Sequence, residues 1–105
     1  MKAWQIVSAG GIDALHLADV TSVAPGPGEI RVRIRASAIN YRDLMTVKDP
    51  AARKLPYPRV PNSDGAGDVI AVGAGVTAFK IGDRVASCFF RTWTDGACSL
   101  EAIFV

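Results

Sequence analysis

The side chains that most often carry chemistry are scarce in this 105-residue chain: two cysteines, Cys88 and Cys98, and a single histidine, His16. A zinc site built from protein ligands draws roughly three or four Cys, His or carboxylate groups at short spacing. Neither a Cys-x2-Cys nor a His-x3–5-His pair occurs here, and the inventory argues against a metalloenzyme. Two cysteines do not make a disulfide framework. His16 has no second His, Cys or carboxylate cluster beside it and reads as an ordinary strand residue. Arg31, Arg33 and Arg35 alternate with Ile30, Val32 and Ile34. Such a ladder could bind phosphates, but no aromatic residues are interleaved with it, so it reads as the solvated face of a half-buried strand.

A third pattern invites a cofactor reading. Gly73-Ala74-Gly75-Val76-Thr77-Ala78 fits Gly-x-Gly-x-x-Ala after an apolar strand, and Asp95 lies about twenty residues further on, where a ribose-binding acid would be sought. That fingerprint requires a helix whose N-terminal amides face a pyrophosphate, followed by a parallel strand. Gly82-Asp83 interrupts too soon after Gly75 to leave room for the helix. Gly73 and Gly75 are therefore expected to be turn glycines between antiparallel strands.

The elements that must position any site are mostly strands. Residues 1–7 read as a strand, Gly10-Gly11 as a turn and residues 15–20 as a second strand. Pro25-Gly26-Pro27-Gly28 is a strong turn ahead of the arginine strand, residues 30–36. Residues 40–48 break the alternation: Asn40 followed three positions later by Asp43 resembles a capping box, and Asp49-Pro50 ends the helix. Residues 49–63 hold four of the six prolines, Pro50, Pro56, Pro58 and Pro61, and predict a stiff extended loop of the kind that often lines a site. Residues 64–73 predict a glycine-interrupted strand, and residues 82–89 a turn and another strand with Cys88 in the core. Five or six strands and one short helix make a mainly β domain, barrel-like in outline.

Half of the residues are hydrophobic and 21% are charged, which suits one small folded domain rather than a disordered chain. Residues 1–52 and 53–105 each carry six basic and five acidic residues, for a net charge of +2. So even a balance gives no electrostatic reason to expect nucleic acid or an anionic membrane. No apolar run approaches the roughly 18 residues of a membrane span. No signal-peptide core follows Met1, so a cytoplasmic location is expected.

Four separated segments, in order, resemble the N-terminal GroES-like catalytic domain of the medium-chain dehydrogenase/reductase superfamily. They are Pro27-Gly28-Glu29-Ile30-Arg31-Val32, Ala38-Ile39-Asn40-Tyr41-Arg42-Asp43-Leu44, Pro61-Asn62-Ser63-Asp64-Gly65-Ala66-Gly67, and Val72-Gly73 continuing to Phe79-Lys80-Ile81-Gly82-Asp83-Arg84-Val85. The resemblance spans roughly residues 1–90. It implies a GroES-like, partly open β-barrel with one or two short helices, incomplete at its C-terminus. Zinc-containing members have a cysteine where Asn40 stands and a Gly-His-Glu run where Asn62-Ser63-Asp64 stands. Amide and hydroxyl groups hold Zn²⁺ poorly, so the chain looks like the zinc-free quinone oxidoreductase and enoyl reductase branch, with no metal.

That branch uses NADPH to reduce quinones, enones or similar activated double bonds. The resemblance implies small-molecule substrates, homo-oligomeric full-length members, and a cleft against a Rossmann domain that residues 1–105 do not contain. It assigns catalytic roles to Asn40, Tyr41 and Asp43, substrate contacts to Tyr57 and Ser63, and cofactor contacts to Asn40 and Arg42. Asp43 suits anchoring the helix better than moving protons, and Asp64 suits holding neighbouring backbone. The apolar finish at residues 103–105 predicts a truncation within a fold, and the isolated chain is expected to be inactive. The alternative is a non-enzymatic GroES-like barrel that binds a partner or assembles.

Overall fold

A computed structural model of the chain describes residues 1–52, 54–90 and 95–97. Among the described residues, five strands, a single 3-10 turn and one α-helix follow one another: β1 (Lys2–Ile6), the turn Ile12–Ala14, β2 (Leu15–Asp19), β3 (Ile30–Ala36), α1 (Tyr41–Lys48), β4 (Ala66–Val72) and β5 (Arg84–Ala86). They form two small open sheets, an antiparallel β1–β2 pair and an antiparallel sheet in the order β3–β4–β5. The result is mainly β, as the alternation predicts, and open, as the resemblance to a GroES-like barrel implies.

β1 fixes the far end of the proline-rich loop. Ile6 is buried, and its backbone exchanges two hydrogen bonds with Arg59: the Ile6 N–H donates to the Arg59 carbonyl at 2.7 Å, and the Arg59 N–H donates back at 3.1 Å. That bridge holds the chain shortly before Asn62-Ser63-Asp64. Among the described residues, Val47 of α1 and Val69 of β4 are buried too, as are Pro50 and Pro61 of the proline-rich loop. Helix, first sheet and second sheet thus each supply one.

β3 spans the predicted residues, and Ile30, Val32 and Ile34 line one cavity as the alternation implies. Two bulges interrupt its pairing with β4: Ile70 is the extra residue opposite Arg31 and Val32, and Arg35 is the extra residue opposite Gly67 and Ala66. Each bulge sets two residues against one and turns the following side chains. Ile34, on the same open face as Ile30 and Val32, is 58% exposed. Arg31, expected on a solvated face, instead has its Nε buried without a hydrogen-bond partner. Arg35 reaches across to Asp68, Nε to Oδ2 at 2.7 Å. At Gly67 a methyl group would overlap the Arg33 carbonyl, so only glycine allows the strands this close.

The connection from β4 to β5 bears out the rejection of a dinucleotide fingerprint. β4 and β5 run antiparallel, and no helix lies between them. Gly75 has φ of 77° and Gly82 of 95°, left-handed conformations that favour glycine. Lys80 N–H donates to Asp83 Oδ2 at 2.9 Å and closes the last turn. One further expectation needs correction. Cys88 is exposed rather than in the core, because β5 ends at Ala86. His16 does sit in β2, opposite Gln5. Cys98 and residues 103–105 lie outside the described residues.

Candidate functional site

The site is organised by the start of α1. Eight residues make barely two turns, too few to hold a helix in water by backbone bonds alone. Capping and burial therefore decide whether it forms. Asn40 takes the N-cap position in extended conformation, with φ of −107° and ψ of 156°. Its backbone N–H donates to Asp43 Oδ2 at 2.9 Å, and the Asp43 N–H donates to the Asn40 carbonyl at 2.9 Å. A carboxylate in the first turn also suits the positive end of the helix dipole. At the other end the Asp49 N–H bonds the Met45 carbonyl at 3.1 Å, and the fully buried Pro50 stops propagation.

Asp43 is only 3% exposed, which makes it an anchor set into the protein. One oxygen serves Asn40. The other, Oδ1, is buried without a hydrogen-bond partner and lies 3.6 Å from an Arg42 guanidinium nitrogen. That guanidinium sits 4.8 Å above the Phe89 ring, a cation–π contact that links the helix start to the segment after β5.

The Asn40 side chain points elsewhere. Its amide Nδ2 donates to Asp64 Oδ2 at 2.8 Å. Asp64 thus holds a side chain across 24 residues of sequence, where the sequence suggested neighbouring backbone. The strand-like segment around Asp64 is itself fastened. Ser37 Oγ donates to the Asp64 carbonyl at 2.7 Å, Asn62 Nδ2 donates to the Ala38 carbonyl at 3.3 Å, and Ser87 Oγ donates to the Ser63 carbonyl at 3.3 Å. The Gly65 N–H completes the stitch by donating to Ser87 Oγ at 3.0 Å.

A cavity of about 440 Å³ opens beside this segment, with Trp4, Ile34, Ser37, Asn62, Ser63 and Asp64 in its lining. The Ser63 hydroxyl is buried there without a hydrogen-bond partner. Leaving a buried hydroxyl unpaired costs on the order of 1–3 kcal/mol, so it is a group that a bound ligand could satisfy. Asn40, Asp43, Asp64 and Ser63 are therefore brought into one region. Tyr41 and Tyr57 stand apart from its hydrogen bonds: Tyr41 is the first helical residue and 77% exposed, and Tyr57 is 41% exposed in the proline-rich loop. Asp64 was missing from the predicted site. Its only sequence signal was an acidic residue immediately ahead of Gly65 and Gly67.

Residues 26–102 match the alcohol dehydrogenase GroES-like domain. The chain belongs to that family. The rat synaptic vesicle membrane protein VAT-1 homolog is 45% identical over 87 residues, which cover 81% of this chain and 22% of that protein. A quinone oxidoreductase of Pseudomonas aeruginosa is 42% identical over 88 residues, covering 81% of this chain and 26% of that protein. Among solved structures, Escherichia coli quinone oxidoreductase complexed with NADPH superposes with a TM-score of 0.68 at 30% identity, covering 82% of this chain and 26% of that one. The chain therefore spans about a quarter of the length of these relatives. The GroES-like domain places Asn40 at the cap of α1 and Ser63 on the neighbouring cavity. No helix among the described residues is long and apolar enough to cross a membrane.

Proposed function

We propose that this GroES-like domain is the substrate-side wall of an NADPH-dependent reductase that acts on quinones and related enones without zinc. A Rossmann domain in another part of the complete polypeptide would bind most of the cofactor. The observation that carries this reading is Asn40, whose backbone N–H donates to Asp43 and whose side-chain amide donates to Asp64, a residue lining a cavity beside the unpaired Ser63 hydroxyl. The relatives supply the reaction class, since a quinone is itself a cross-conjugated enedione.

The donor set suits hydrogen bonding better than Zn²⁺. The Asn40 amide turns an N–H toward Asp64, and no group of three His, Cys, Asp or Glu converges among the described residues. The unpaired Ser63 hydroxyl is what fits a bound organic ligand. Asn40 and Arg42 would hold the nicotinamide end of the cofactor, which supplies a hydride when bound. As the substrate carbon accepts that hydride, negative charge builds on the carbonyl oxygen. The second Asn40 N–H, the Ser63 hydroxyl and the Tyr41 and Tyr57 phenols are the available donors to that oxygen. Asp43 contributes by keeping Asn40 at the helix cap and, at 3% exposure, is poorly placed to exchange protons with solvent.

The test is NADPH oxidation by the complete polypeptide with a quinone as acceptor, before and after exhaustive chelation. The reading predicts quinone-dependent oxidation that chelation leaves unchanged. Absence of quinone- or enone-dependent oxidation would overturn the reaction class, and loss on chelation would overturn its zinc independence.

A further inference from the structure

We infer that Asp64 is the positioning residue for Asn40: it selects which way the Asn40 amide faces and so determines that an N–H is left for the ligand. For its catalytic consequence the inference rests on the function proposed above. An asparagine amide has two orientations that differ only by exchanging oxygen and nitrogen, and packing alone separates them poorly. An ionised carboxylate separates them strongly, because it can only accept. With Nδ2 toward Asp64 Oδ2, at 2.8 Å, the pair makes a charge-assisted hydrogen bond. In the reversed orientation two oxygens would face one another at that distance.

Both partners are held before any ligand arrives. The Asn40 backbone is clamped by Asp43 Oδ2 at 2.9 Å. Asp64 is fixed on both sides, by Ser37 Oγ on its own carbonyl at 2.7 Å and by Ser87 Oγ on the next N–H at 3.0 Å. One Asn40 N–H is thus committed to Asp64, and one remains. A donor fixed in this way stabilises developing charge without having to reorganise during the reaction. Asp64 does not need to touch the ligand to matter.

The test is a double-mutant cycle in the complete polypeptide, read as separate kcat and KM values. Asp64→Ala should lower kcat about tenfold while KM moves less than about twofold. Asp64→Asn should recover little of the loss, because its amide can donate as well as accept and no longer selects one orientation of Asn40. Asn40→Ala/Asp64→Ala should be no slower than Asn40→Ala alone, whereas additive losses would overturn the inference. A second readout does not depend on activity: the side-chain amide signals of Asn40 in a ¹⁵N spectrum should shift in Asp64→Ala while the backbone signals of residues 41–48 stay in place. Unmoved Asn40 signals would overturn the inference, and so would collapse of the helix signals, which would assign Asp64 a purely structural role. If Asn40→Ala leaves turnover unchanged, the proposed function fails, and the spectrum still decides the pairing.

Discussion

The start of α1 and the open face of the β3–β4–β5 sheet satisfy themselves in opposite ways. Around Asn40 the backbone and side-chain groups that fix the cap find partners within the chain: Asp43 three residues on, Asp64 twenty-four residues on, and the serines at 37 and 87 behind them. On the sheet the apolar side chains do not. Ile30, Val32, Ile34, Phe79 and Val85 line an open cavity of about 660 Å³, and Ile34 and Ile81 are 58% and 66% exposed. The backbone and capping groups at the helix start are largely paired within the chain, while the apolar side chains of the sheet face stay open. The polar corner is preorganised by the chain itself, and the sheet face calls for covering by further protein.

The strongest way to break that contrast is to disturb the sheet where the backbones touch. Gly67→Ala forces a methyl group against the Arg33 carbonyl and should cost about 3 kcal/mol. Chemical denaturation of the complete polypeptide measures it, and a loss below about 1 kcal/mol would show that the strands can part easily. Asp43→Ala comes next. It removes the acceptor for the Asn40 N–H at a buried helix cap and should cost about 2 kcal/mol. Asp43→Asn should recover part of that, because its oxygen can still accept. Ile34→Thr should change stability least, by about 0.5 kcal/mol or less, because the residue is mostly exposed. It should nevertheless reduce binding of a hydrophobic dye to the isolated chain; unchanged dye binding would place the sticky surface elsewhere. The isolated 105-residue chain should also bind NADPH only weakly, and saturable micromolar binding in a titration would contradict that.

What the sequence made legible follows the same division. The helix was readable because its signals are local: Asn40, Asp43 three residues on, and Asp49-Pro50 at the end. The strands were readable from alternation, and the turn glycines Gly75 and Gly82 from spacing. The buried Nε of Arg31 and the exposure of Ile34 were not, since they depend on what each face of β3 meets in space rather than on the alternation along it. Cys88 misled because apolar neighbours suggested a longer strand than the three residues of β5. In the site, Asn40 and Asp43 could be paired from their spacing, whereas the Asn40–Asp64 bond joins segments on either side of the proline-rich loop. No local pattern encodes that meeting.

The central claim is that Asn40, fixed at the cap of α1, donates a hydrogen bond to the reacting oxygen. The most direct measurement is kcat/KM for quinone reduction by the complete polypeptide, wild type against Asn40→Ala, with folding checked by the denaturation midpoint. The account predicts a fall of about a hundredfold, the order seen when one donor to a developing oxyanion is removed, with the protein still folded. A kcat/KM that stays at the wild-type value in a folded Asn40→Ala protein would contradict it.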